Sequence, residues 1–296
     1  MTWQPQPAHP EFPDCAVRCG WLFASKCRAG CFYCGSRAGF EQQLAAGARW
    51  WTDEQALQAW QLALEHYGPV MIDFTGLECT EELDLMGAVL RLGHAGIVNT
   101  NLMFDPAEFA AKVPADRCLV CTSFHTHLWN RDPAVFLRRV DRVRATGHRV
   151  VSASLVAHPS YLDRARGWMD GLRGGGLYAT IHPFIGEWQG RRYPEAYTDD
   201  DRALIDELLG VEREKAALAL NLEPPRIAAC AAGWLYFAVQ LDGTVKRCMG
   251  DPGTMGNFYR DGLTLATRPE PCRVGRCACE ALYQFHIPEG CDYDTG

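Results

Sequence analysis

Between about residues 20 and 210, short apolar runs alternate with longer amphipathic ones, and few folds accept that rhythm. The strand-like runs are 20–25, 70–76, 96–102, 118–124, 149–157 and 177–184, rich in Val and Ile. Helix-like segments at 53–67, 81–93, 106–113, 132–147 and 161–173 separate them, and 199–209 follows the sixth. Strands each followed by a helical stretch argue for a parallel sheet built from βα units. Six such units fit a partial, open α/β barrel, in which active residues sit on loops at the C-terminal ends of the strands.

Three cysteines obey that geometry. Cys27, Cys31 and Cys34, in the run KCRAGCFYCGS, follow the first strand with C-x3-C-x2-C spacing. A structural cubane cluster is normally held by four thiolates, so three leave one iron open to bind and transform a small molecule. Zinc is the competing reading, but it prefers C-x2-C knuckles and a fourth nearby Cys or His, and the dozen residues after Cys34 hold neither.

This spacing, with the aromatic Tyr33 just before the last cysteine, resembles the radical S-adenosylmethionine (radical SAM) superfamily. The resemblance implies a partial (β/α)6 barrel, a [4Fe-4S] cluster on Cys27, Cys31 and Cys34, and S-adenosylmethionine (AdoMet) on the open iron. The segment FTGLECTEE (74–82) resembles the family's glycine-rich element, with Leu77 for its second glycine and Cys79 for its proline. By that resemblance Gly76 permits close approach and Glu78 accepts from the AdoMet ammonium. Further strand ends carry Thr100, Asn101, Ser123, His125, Ser152, Ser154 and His182; with Tyr33, the resemblance takes Asn101, Ser123 and Ser154 as cofactor-binding positions. His125, His158 and His182 compete with the ordinary role of buried histidines. The Arg-rich, aromatic stretch 186–198 resembles a substrate-side lid, against the alternative of a long connection.

Fourteen cysteines would suit a disulfide scaffold in a secreted protein, but the first 14 residues have neither a basic start nor an apolar stretch. The expectation is therefore a cytoplasmic protein whose thiols bind metal. No window approaches a membrane span. A net charge of −7 argues against a nucleic-acid partner, which needs clustered Lys and Arg. It is compatible with a cationic substrate, although a mildly acidic surface also simply keeps a protein soluble.

A boundary is expected near Pro224 and Pro225, giving an N-terminal extension (1–19), a barrel (20–222) and a small cysteine-rich domain (223–296). Cys230 and Cys248 bracket two β-rich runs around Asp242-Gly243, a hairpin signal. Cys272, Cys277, Cys279 and Cys291 follow. The C-x12-G-x4-C pattern of Cys230, Gly243 and Cys248 resembles the SPASM or Twitch extension of radical enzymes, which implies a second, auxiliary [4Fe-4S] cluster. Two assignments stay open. Either Cys272, Cys277, Cys279 and Cys291 hold it, leaving Cys248 as a hydrogen-atom donor, or Cys230 and Cys248 are ligands with two of the later four. A structural zinc in the tail is a third alternative.

The tail and cluster loop together look similar to radical epimerases of aminoglycoside biosynthesis, of the neomycin C to neomycin B type. That likeness implies a cationic aminoglycoside substrate and an external electron donor of flavodoxin or ferredoxin type. Asp73, Glu81, Glu82, Asp84, Asp199, Asp200 and Asp201 are the acidic residues expected to meet such a substrate. A dehydrogenase of an aminocyclitol alcohol, a peptide-modifying maturase and a non-enzymatic iron–sulfur module are the alternatives.

Overall fold

The computed structural model describes residues 2–3, 7–34, 37–209, 227–273, 285–288 and 292–293. Six parallel strands form in sequence order: β2 (Val17–Ala24), β3 (Val70–Gly76), β4 (Ala95–Thr100), β5 (Cys118–Ser123), β6 (Arg149–Ala157) and β7 (Tyr178–Pro183). Each lies where an apolar run was expected, although β2 starts three residues earlier. A two-residue strand, β1 (Thr2–Trp3), pairs with β14 (Asp292–Tyr293).

Helices α2 (Asp53–Tyr67), α3 (Leu83–Arg91), α4 (Pro106–Lys112), α5 (Pro133–Arg144), α6 (Ala165–Gly174) and α7 (Asp199–Leu209) follow successive strands. Their starts are written locally. Thr52 and Gln55 form a reciprocal capping box at α2, while Asp105 and Asp132 cap α4 and α5 just ahead of a proline. One further helix, α1 (Arg37–Ala45), was not anticipated; it buries only Phe40.

Side chains alternate across each strand. Cys19, Trp21 and Phe23 pack outward against the helices with Ile72 and Phe74. Trp60 of α2 meets Trp21 edge-on at 5.2 Å, a pairing that adds about 0.5–1.5 kcal/mol to what the burial of the two rings contributes. Arg18, Gly20, Asp73 and Cys121 therefore face the barrel interior. Its floor is filled from outside the sheet: Ala8, Phe12 and Cys15 pack on Met71, Ala95 and Leu119. The N-terminal stretch thus serves as the base of the barrel.

After the segment that holds the expected boundary, which lies outside the described residues, come β10 (Ile227–Cys230), β11 (Tyr236–Val239) and β12 (Val245–Lys246). β11 and β12 form the expected hairpin, with Gly243 at φ +82°. The hairpin does not stand apart, because β11 pairs in parallel with β2 and extends the sheet to eight strands. β13 (His286–Pro288) pairs with β10. The stretch expected as a lid contains a small hairpin, β8 (Gly186–Trp188) and β9 (Arg191–Tyr193). Among the described residues no helix is long and apolar enough to cross a membrane.

Candidate active site

A cavity of about 360 Å³ opens at the C-terminal strand ends, and Cys27, Cys31 and Cys34 line it together with Tyr33, Gly76, Glu78, Asn101, Ser123 and His125. All three expected cluster ligands and most expected cofactor positions thus share one wall. Ser154 stands behind it, in register with Ser123, the two hydroxyl oxygens 3.4 Å apart. His182 pairs in register with Val156, which also borders the cavity.

The donor set fits an iron–sulfur cluster. Backbone N–H of Ala29 points at Cys27 Sγ from 3.4 Å and the Asn101 amide from 3.8 Å, donors of the kind that tune a cluster's sulfurs. Burial pushes the Cys31 thiol up to about 12 and raises Cys27 as well, so these sulfurs ionise only with a bound cation to compensate. Among the described residues no three His, Cys, Asp or Glu side chains converge on one metal-ion position.

Gly76 and Glu78 line the cavity and also have partners within the chain. Gly76, at φ +133°, is demanded by the neighbouring strand: a Cβ there would lie 2.3 Å from the Ala24 carbonyl oxygen. Glu78 is buried and already engaged, accepting from the Asn101 backbone N–H at 2.9 Å and from the Thr80 hydroxyl at 2.6 Å. Desolvation raises its pKa. It clamps the loops after β3 and β4 to one another, with both carboxylate oxygens engaged, at the wall of the cavity.

The Tyr33 hydroxyl and His125 Nδ1 are hydrogen-bonded at 2.9 Å. Burial lowers His125 to about 4, so the ring is neutral. His127, His158 and Tyr161 pack around Tyr33, and His158 is fully buried with Nε2 unpartnered. Trp188 of the β8–β9 hairpin lies 4.6 Å from the His158 ring and 5.9 Å from Phe32, so the expected lid rests on the cluster loop. Thr75 and Asn99 also line the cavity; period-two spacing from Asp73 and from Asn101 was the signal that marks them.

The acidic residues expected to meet a cation are mostly satisfied within the chain. Asp73 pairs with Arg18, Glu81 with Arg28, Glu82 with Arg49 and Asp84 with Lys112. Asp201 accepts from the Thr198 N–H, while Asp199 and Asp200 are exposed at the start of α7.

In the tail, buried Arg247 donates to the carbonyls of Ala232, Pro271 and Glu270 at 2.9, 3.1 and 3.3 Å. Those bonds draw the surroundings of Cys230, Cys248 and Cys272 together. Cys248 packs on the cluster that contains Cys230, and the charge of Cys272 adds to burial in raising the Cys248 pKa. Cys277, Cys279 and Cys291 lie outside the described residues. Cys248 is not at the mouth-side tip of the hairpin: β12 runs antiparallel from Val245, opposite Val239, toward the level of Tyr236 and Arg18. Its neighbour Met249 reaches the interior face, where a Cβ on Gly20 would lie 3.8 Å from the Met249 methyl carbon. Cys79 and Cys118 are buried neutral thiols, and no described cysteine is in a disulfide.

Among solved structures, native anSMEcpe with bound AdoMet matches this chain with a TM-score of 0.57 at 15% identity, over 82% of this chain and 78% of that one. The two share the fold, a partial α/β barrel of six parallel βα units. No family model and no curated protein matches the sequence.

Proposed function

We propose that this chain is a radical SAM enzyme. The observation that carries the reading is the gathering of Cys27, Cys31 and Cys34 with Glu78, Asn101 and Ser123 on one cavity at the strand ends. When bound there, the cluster supplies the electron that splits AdoMet into methionine and a 5'-deoxyadenosyl radical. The protein's own part is positional. Glu78 and Asn101 hold the loops that face Cys27, the Tyr33–His125 pair fixes the cluster loop, and the filled barrel floor keeps water from the reacting carbon.

Within that class we assign an epimerase acting on a hydroxyl-rich aminosugar of the aminoglycoside type, with neomycin C the first compound to test. The interior carries Thr75, Asn99, Ser123 and Ser154, neutral groups suited to hydroxyls. Cys248 follows the edge strand β12 and directly precedes Met249, whose methyl carbon approaches the interior face at Gly20. In this reading the substrate carbon loses hydrogen on one face, and the Cys248 thiol gives a hydrogen atom to the other. The resulting sulfur radical takes up one electron from the external carrier and one proton from solvent.

The clustering of Cys230, Cys248 and Cys272 around Arg247 supports a second reading, in which Cys248 is an auxiliary-cluster ligand and the enzyme is a dehydrogenase. Anaerobic reconstitution of the parent and of Cys248→Ala, with iron counting and turnover in heavy water, separates them. A solvent deuteron in an inverted product, lost in a variant that keeps its iron and still cleaves AdoMet, supports the epimerase. Iron loss supports the ligand role, and a parent that cleaves no AdoMet overturns both.

A further inference from the structure

The loop after β4 connects the cluster site to a second feature on the outside of the barrel. Asn101 turns its amide toward Cys27 Sγ and its carbonyl oxygen accepts from the Met103 N–H at 2.9 Å. Between them buried Leu102 takes a left-handed backbone, φ +63°, unusual for a residue with a Cβ. Arg139 of α5 holds that shape by donating Nε–H to the Leu102 carbonyl at 3.0 Å. From Arg139 to the Cys27 sulfur, the contacts run through this short loop.

Arg139 belongs to a cleft of about 320 Å³ whose walls include Met103, Trp129, Arg138 and Arg142. Arg138 and Arg142 are one helical turn apart and exposed, and Met103 is 43% exposed. The Trp129 indole N–H is buried without a partner. None of the described residues lining the cleft is acidic. In a chain of net charge −7, three guanidiniums over an exposed Met and a half-buried Trp are a local reversal of sign, built from the residue types that protein interfaces favour.

We propose that this cleft docks an acidic one-electron carrier protein, which delivers its electron to the cluster along the 101–103 loop. The inference rests on the radical SAM reading. Charge complementarity selects the partner, and the position gives it a purpose: cofactor and substrate use the barrel interior, so electrons that enter across α5 leave the mouth free. One electron leaves the reduced carrier and arrives at the cluster, with no bond made or broken.

The test uses the full-length reconstituted protein, oxidised flavodoxin as the acidic probe, and the double charge reversal Arg138→Glu, Arg142→Glu. Arg139, which shapes the loop, is left in place. Titration calorimetry is expected to show flavodoxin binding weakened by about tenfold or more, with most of its salt dependence gone. AdoMet cleavage driven by dithionite should match the parent, while cleavage driven by reduced flavodoxin falls. Arg138→Gln, Arg142→Gln gives an intermediate loss and guards against a folding defect. Unchanged flavodoxin affinity in both variants overturns the proposal, as does inorganic pyrophosphate binding the parent cleft and displacing nothing. A parent without dithionite-driven cleavage removes the radical SAM reading, a failure distinct from the binding result.

Discussion

Arg18 grips Asp73 with two parallel hydrogen bonds, Nε to Oδ2 at 2.7 Å and Nη2 to Oδ1 at 2.9 Å, inside the barrel. The pair joins β2 to β3 across the interior and satisfies the carboxylate that a cationic substrate would otherwise meet. Truncating one partner strands the other charge in a mostly buried site. Asp73→Ala is expected to lose about 3 kcal/mol in urea unfolding. The double variant Arg18→Met, Asp73→Leu should recover much of that; a double variant as unstable as the two single losses combined would argue against the pairing as the source.

Gly76 has no room for a methyl group. With φ at +133° and the Ala24 carbonyl oxygen only 2.3 Å from where a Cβ would stand, Gly76→Ala must separate β2 from β3 at the edge that carries the cluster loop. A loss of about 2 kcal/mol or more is expected, together with lower iron content after reconstitution. Full iron and parental stability would show that the strand edge yields freely.

His94 carries a pH dependence of known sign. Its Nδ1 accepts from the Val70 N–H at 3.1 Å and its Nε2 donates to the Trp60 carbonyl at 3.1 Å, so the neutral ring is the one that folding holds. Desolvation lowers its pKa from 6.5 to about 4. The unfolded chain therefore takes the proton first as pH falls. This contribution to stability is complete above about pH 6.5 and declines toward pH 4, by at most about 3 kcal/mol. Urea midpoints across that window should fall less steeply for His94→Gln; identical slopes would remove His94 as a cause.

Arg247 ties three tail segments together from a side chain only 7% exposed. Arg247→Met leaves the Ala232 and Pro271 carbonyls without this donor, while the Glu270 carbonyl keeps the Cys230 N–H and its carboxylate keeps Arg273. We expect a cost of about 3 kcal/mol and loss of any iron bound beyond that held by Cys27, Cys31 and Cys34. Parental iron in the variant would show that the tail thiols do not depend on this anchor.

Each of Cys27→Ala, Cys31→Ala and Cys34→Ala should abolish AdoMet cleavage and the visible absorption of the loop cluster while circular dichroism stays parental. Retained cleavage in any of the three would remove that residue from the ligand set.

The barrel was legible because its βα rhythm is repeated six times and its helix starts are marked by Thr52, Asp105 and Asp132, each acting within a few residues. The cysteine loop stood out because its spacing resembles that of a known family, and the structure brings its three thiols to one cavity. By contrast, the parallel pairing of Tyr236–Val239 with Arg18–Trp21 joins residues far apart in the chain and leaves no local pattern. The same holds for the acidic residues: Asp73 and Glu82 read as available charges until Arg18 and Arg49 are placed beside them. Helix α1 escaped notice because Phe40 alone gives it an inward face. Gly76 stood out as a position of close backbone approach, and the contact with the Ala24 carbonyl that demands it joins two strands whose pairing no local pattern marks.

β2 belongs to both cysteine groups at once. Its C-terminal end runs into Cys27, and its free edge carries β11, whose hairpin leads directly to Cys248. A single strand is therefore the ruler between the loop thiols and the tail thiols, and hydrogen-bonded sheet, in place of a hinge, sets their spacing. Any change that slips the register of this one strand moves both groups of thiols together, so one substitution at neither should disturb both.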